Sequence, residues 1–158
     1  MTDAVDLRIA HEQDAEAIRT LTRQAYAKWV AVTGREPLPM RVDYNEAVRK
    51  HRFDLLYADG ILAALIETVP DGDHLLIENV AVAPAAQGRG FGKRLLKHAE
   101  ELAASSGLQG TRLYTNKLFA ANLRLYEALG YRVNREEELN GGIAVHMSKA
   151  CKIGRAHV

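Results

Sequence analysis

Gly88, Gly90 and Gly92 stand at alternate positions in the turn Gln87-Gly88-Arg89-Gly90-Phe91-Gly92, directly after an apolar run and directly before an amphipathic one. That spacing constrains the fold more than any other feature of the chain. Without a Cβ, alternate residues let an anion come within reach of successive backbone N–H groups. The helix that follows adds its orphan N–H donors and the positive end of its dipole. Arg89 and Lys93 add full charges. The arrangement is an anion site that suits a pyrophosphate. A plain strand-to-helix turn is the alternative, but such a turn needs only one glycine or two. A dinucleotide fingerprint would place its third glycine where Lys93 stands, and this turn follows a run of hairpins in mid-chain. A P-loop would need glycine in place of Gln87 and Ser or Thr in place of Arg94.

The segments around the turn read as alternating strands and helices. Val5–Ala10 is a short strand, and Asp14 is a good N-cap for a helix to about Val32, with Gly34 as its stop. Gly34–Met40 is a loop, since Pro37 and Pro39 forbid regular hydrogen bonding, and Asp43–His51 is a second, short helix. Phe53–Ala58, Ile61–Val69 and His74–Val82 are apolar and partly β-branched, separated by Asp59-Gly60 and Pro70-Asp71-Gly72-Asp73, so three antiparallel strands are expected. A helix runs from about Gly90 to Ser105, with Phe91, Leu95, Ala99 and Leu102 in one stripe and Gly107 beyond its end. Thr111–Thr115 is a strand and Leu118–Leu129 a helix stopped by Gly130. Tyr131–Glu138 and Ile143–Ser148 form a last hairpin around Asn140-Gly141. In the helix 118–129, Leu118, Ala121, Leu125 and Ala128 are the expected anchoring stripe. This order gives an α/β fold, a mixed sheet with helices on both faces.

The chain has 158 residues, enough for one domain (1–150), with a tail from Cys151 to Val158 that shows no periodicity and is expected to be disordered. A net charge of +1 gives no field that would recruit nucleic acid or an acidic membrane. The lone Cys151 excludes an intramolecular disulfide and a cysteine-based zinc site. The six histidines form no HxH or HxxxH pair, so no metal is expected. The start lacks a signal-peptide pattern and no apolar run reaches membrane-spanning length, which makes the cytoplasm the expected location.

Gln87-x-x-Gly90-x-Gly92 after Asn79-Val80-Ala81-Val82 resembles the coenzyme A signature of the GCN5-related N-acetyltransferases. The segment from Leu113 to Tyr131, with Asn122 and Tyr126, is similar to that family's second conserved block. The resemblance covers essentially the whole chain. It implies a mostly antiparallel sheet in which two parallel central strands, 74–82 and 111–115, splay apart, and it implies acetyl-CoA as cofactor. Backbone groups of Val80, Ala81 and Val82 would bind the pantetheine arm. Gln87, Gly88, Arg89, Gly90, Phe91, Gly92 and Lys93 would take the pyrophosphate. Asn122 would hydrogen-bond the cofactor, and Tyr126 would protonate the leaving sulfur.

Asn122 and Tyr126, four apart, share a helical face. A phenol of pKa about 10 can donate to a thiolate of about 8.5 in a concerted step, a deficit of roughly 2 kcal/mol. A buried ring with a satisfied hydroxyl is the alternative for Tyr126. An amine acceptor must also lose a proton, and Glu78, by strand alternation on the face of Val80 and Val82, is the candidate base. Its alternative is an ion pair with a nearby arginine or a place at the rim. Tyr26, Trp29 and Met40, between the first two helices, are candidates to line the acceptor pocket, or else are local core. The expected partners are a small-molecule or peptide amine and, as an assembly, a homodimer. A non-catalytic acyl-CoA sensor, another acyl group and a hydroxyl acceptor remain alternatives.

Overall fold

The structure, a computed structural model, describes residues 4–151. Its strands are β1 (Val5–Ile9), β2 (Arg52–Ala58), β3 (Ile61–Asp71), β4 (His74–Val82), β5 (Gly110–Asn116), β6 (Arg132–Leu139) and β7 (Gly142–Ala150). Its α-helices are α1 (Ala15–Thr33), α2 (Tyr44–Lys50), α3 (Phe91–Ser105) and α4 (Ala120–Ala128). The sheet order is β1-β2-β3-β4-β5-β7-β6. The pair β4–β5 is parallel, whereas β1–β2, β2–β3, β5–β7 and β6–β7 are antiparallel. The mixed, mostly antiparallel α/β architecture is the expected one.

Two hairpins turn where dipeptide chemistry says they should. Asp59 and Gly60 have φ of 53° and 80°, and Asn140 and Gly141 have 51° and 79°. Positive φ at both central residues matches the right-handed twist of the flanking strands. Asp14 behaves differently from its expected role. Glu12–Asp14 form a 3-10 turn that runs straight into α1, so the Asp14 carboxylate accepts the N–H of His11 at 2.8 Å and leaves α1 without a side-chain cap. Asp43 does cap α2, accepting from the Asn45 N–H at 3.0 Å.

The described residues fall into two compact units, one built from the chain up to Val69 with Asn79–Leu96, the other from Pro70–Glu78 with the chain from Lys97 onward. In the first, Ile18, Leu21 and Ala25 of α1 and Tyr44 and Ala47 of α2 form one core with Phe53, Leu55, Leu65 and Ala81 of the sheet. In the second, Ala99, Ala103, Leu113, Tyr131, Val145 and Met147 are buried. There Thr111 and Tyr131 share a buried hydroxyl–hydroxyl bond of 2.8 Å, and Lys149 pairs with Glu100 at 3.0 Å. Gly110 is demanded by packing, since a Cβ there would lie 2.2 Å from the Lys149 carbonyl oxygen. Cys151 is tied by its N–H to the Gln109 carbonyl at 2.8 Å, and the rest of the predicted tail lies outside the described residues.

The anchoring stripe expected in α4 is corrected. Leu118 and Leu125 are 61% and 40% exposed, and Ala121 and Ala128 are exposed as well. The half-buried face carries Asn122, Leu123, Tyr126 and Leu129 instead. Leu118 and Leu125 fall within about 20° of one another on a helical wheel, so the spacing marks a face, but it is the exposed one. The choice is made where the Tyr126 ring packs on Tyr131, with centroids 5.9 Å apart.

Candidate functional site

The glycine turn lies in the first unit. Gly88 and Gly90 have φ of 84° and 80°, the left-handed region that L side chains seldom adopt. A Cβ at either would meet nothing within 4 Å, so the space above the turn is open. Gly92 is different: it has no positive φ, and a Cβ there would make only ordinary contact with Val82 at 3.7 Å. Backbone conformation therefore explains two glycines and leaves the third to be explained by what must come close to it. The Gly90 carbonyl accepts the first turn's bond from Arg94 N–H at 3.0 Å, which puts Gly90 in the cap position of α3. Having no side chain, it cannot cap the N–H groups of Gly92 and Lys93, which remain donors for an anion. Arg89 and Lys93 are exposed, Arg89 with its guanidinium 4.7 Å from the Phe91 ring centroid. Gln87 turns its side chain back to the Val82 carbonyl at 3.4 Å, tying the turn to the end of β4. An open, cationic, backbone-lined turn of this kind fits a pyrophosphate.

Upstream of the turn, β4 offers Val80 and Val82 half-buried and Ala81 buried. Asn79 is 3% exposed in this strand and is the residue that sequence reasoning passed over. Its side-chain amide donates to the hydroxyls of Thr22 at 3.3 Å and Tyr44 at 3.4 Å. Its carbonyl oxygen accepts from the Tyr26 hydroxyl at 2.9 Å, which also approaches the Val80 carbonyl at 3.3 Å. Tyr44 in turn donates to the Pro39 carbonyl at 2.7 Å. One amide thus locks both N-terminal helices and the proline loop to β4. A polar residue amid the apolar run from Leu75 to Val82 was the available signal. Of the expected acceptor-lining residues, Tyr26 is spent on this network, Met40 is buried, and Trp29 is half-buried with the Lys28 ammonium 5.1 Å from its ring.

The second unit holds the other expected residues. Parallel pairing of β4 with β5 is recorded at His74–Gly110, Leu75–Thr111 and Leu76–Arg112, although both strands run several residues further. Glu78, just past the last of these pairs, is half-buried and has no ion pair or hydrogen bond among the described residues. Asn122 and Tyr126 are both half-buried on one face of α4, and neither side chain has a hydrogen-bond partner among the described residues. Burial pushes the Tyr126 phenol up to about 12. The group is held protonated, with its O–H unspent. No cluster of three or more potential metal ligands occurs among the described residues, and none of their helices is long and apolar enough to cross a membrane.

Comparison with known proteins follows the same lines. Residues 15–131 match the sequence profile described as the acetyltransferase (GNAT) family. A search of curated proteins finds no sequence match. Among solved structures, the chain is similar to the PaiA N-acetyltransferase of Thermoplasma acidophilum in complex with coenzyme A, with a TM-score of 0.80 and 19% identity over 93% of this chain and 99% of that one. It is also similar to the ribosomal-protein-S18-alanine N-acetyltransferase of Escherichia coli, with a TM-score of 0.73 and 20% identity over 94% of each chain. Nourseothricin acetyltransferase gives a TM-score of 0.71 and 25% identity over 94% of this chain and 99% of that one.

Proposed function

The chain belongs to the acetyltransferase (GNAT) family, and from that premise we propose that it moves an acetyl group from acetyl-CoA to a primary amine by direct attack. The observation that carries this reading is the glycine turn, open above Gly88 and Gly90 and set on the first turn of α3. The backbone of Gln87–Gly92, with Arg89 and Lys93, holds the pyrophosphate. Val80, Ala81 and Val82 hold the pantetheine arm as an added strand would be held, and Asn122 completes the binding set. Acetyl-CoA, when bound, supplies an acetyl group activated as a thioester.

The chain's own residues then divide the proton work. Backbone N–H groups near Val82 polarise the acyl carbonyl. Glu78, a half-buried carboxylate without a counter-ion among the described residues, takes the proton that the amine must lose. Tyr126 keeps its own proton at any ordinary pH, and because burial widens its deficit against a thiol near 8.5 to roughly 5 kcal/mol, it donates only in concert with carbon–sulfur cleavage, as charge grows on sulfur. The unspent hydroxyl favours this enzymatic reading over a non-catalytic acyl-CoA sensor, which needs no acid on α4. The acceptor, a small molecule or a peptide terminus, sits against Trp29, since Tyr26 is held by Asn79 and Met40 is buried.

The test is a calorimetric titration of acetyl-CoA into the wild type and a Gly92→Val variant. Gly92 is the better position than Gly90, because a side chain at Gly90 would also strain its left-handed backbone. Affinity in a folded Gly92→Val protein should fall at least about tenfold, roughly 1.4 kcal/mol. Unchanged affinity would move the pyrophosphate elsewhere.

A further inference from the structure

One hydrogen bond fixes which way the backbone of β4 points. The Ala83 N–H reaches the Ala63 carbonyl of β3 at 2.8 Å. Successive residues of a strand turn their N–H and C=O groups to opposite edges, so Ala81 also faces β3, and Val80 and Val82 face the other edge. Along that other edge the recorded pairing of β4 with β5 ends at Leu76. Beyond it the edge carries, in order, the Val80 N–H, the Val80 carbonyl, the Val82 N–H and the Val82 carbonyl.

Two side chains of the first unit alter this row. The Tyr26 hydroxyl of α1 lies 3.3 Å from the Val80 carbonyl oxygen, and the Gln87 side-chain amide donates to the Val82 carbonyl at 3.4 Å. Tyr26 also donates to the Asn79 side-chain oxygen at 2.9 Å, so its one hydrogen lies between two acceptors, and Asn79 is fixed in turn by Thr22 and Tyr44. Both contacts place a donor on a carbonyl. A bare carbonyl on this edge would repel an incoming carbonyl oxygen, or draw water to the place that oxygen must occupy. With a donor on each, the edge favours a ligand that brings an acceptor. The Tyr26 contact also steadies the peptide plane between Val80 and Ala81, which lies between the two N–H groups.

We propose that Tyr26 is a positioning residue for the cofactor, acting through the Val80 carbonyl, and that with Gln87 it makes this edge of β4 selective for the thioester carbonyl of acetyl-CoA over a ligand without that oxygen. The inference rests on the acetyl-CoA reading above. The thioester oxygen accepts from the Val80 or Val82 N–H, while Tyr26 and Gln87 keep the neighbouring carbonyl oxygens from opposing it. Tyr26 thus serves the reaction without lining the acceptor pocket.

The test is calorimetric titration of the full chain with two probes, acetyl-CoA and S-ethyl-CoA, a thioether that lacks only the acyl oxygen. The wild type should bind acetyl-CoA about threefold to tenfold more tightly, the net worth of one hydrogen bond. In Tyr26→Phe this preference should shrink to about twofold or less, and it should shrink in Gln87→Leu as well. Thr22→Val takes a partner from Asn79 but leaves both carbonyl contacts in place, so it should lower the melting temperature and keep the preference. A merely structural role for Tyr26 would instead weaken both probes by the same factor. The assignment is overturned by an unchanged preference in folded Tyr26→Phe, by a preference lost as fully in Thr22→Val, or by a wild type that binds the two probes equally. Should Tyr26→Phe fail to fold, an unchanged preference in Gln87→Leu overturns the selective edge. A wild type that binds neither probe would sink the acetyl-CoA reading itself.

Discussion

Tyr126 illustrates how burial sets the role of a single residue. An unperturbed phenol near 10 would already be ionising in mildly alkaline buffer, whereas this one is raised to about 12 by desolvation. The sign of the effect is that the neutral form is favoured in the fold. The acid therefore stays loaded, and the wild-type rate should show no loss from phenol ionisation through pH 10. Its stabilising effect is complete below the unfolded value of about 10 and is lost as pH rises through about 12. Melting temperatures should drop over that interval, by less in Tyr126→Phe. In the same variant kcat should fall by about 10²- to 10⁴-fold, less whatever water restores, with acetyl-CoA affinity unchanged. Turnover within about twofold of wild type would make the ring structural. For Glu78, the expected outcome of Glu78→Gln is a kcat/KM loss largest at low pH, where neutral amine is scarcest, and shrinking as pH rises. Superimposable profiles would remove Glu78 from the reaction, and a uniform loss would make it a positioning group.

At the scale of elements, the glycine turn and α3 were readable because each rests on local chemistry. Alternate glycines, an apolar stripe and Gly107 at the helix end all act within a few residues. The stop is as expected: Leu108 N–H reaches the Ala103 carbonyl at 2.9 Å and Gly107 N–H the Ala104 carbonyl at 3.1 Å. The burial of α4 was not readable, because its leucine spacing marks a face that is left exposed, and the contact of Tyr126 with Tyr131 decides instead. Nor was the Asn79 network, whose partners Thr22 and Tyr44 lie 57 and 35 residues away. That network is itself testable. Asn79→Leu strips partners from three hydroxyls on α1 and α2 and should cost about 1–3 kcal/mol, seen as a melting temperature lower by several degrees. An unchanged melting temperature would show that the N-terminal helices hold to β4 without it.

At the scale of the whole molecule, the mixed α/β class follows from the succession of elements, which the sequence carries in its turns, and the family from the glycine turn and the segment Leu113 to Tyr131. What succession cannot carry is cross-strand chemistry. His146 and Glu137 meet because the Asn140-Gly141 hairpin sets the register of β6 on β7 from Leu139–Gly142 to Arg135–His146. A count of histidine spacings has no access to that. The acceptor is equally a property of the assembled surface: two of the similar proteins named above share this fold, and their names give them different acceptors, the alanine of ribosomal protein S18 and nourseothricin. The measurement that bears most directly on the account is product analysis after incubating the full chain with acetyl-CoA and amine probes, counting free thiol against acetylated amine by mass spectrometry. One N-acetylated amine is expected for each thiol released, with no release above buffer in the absence of an amine. Binding of acetyl-CoA with no thiol release on any amine, or release that yields only acetate or an O-acetyl product, would contradict it.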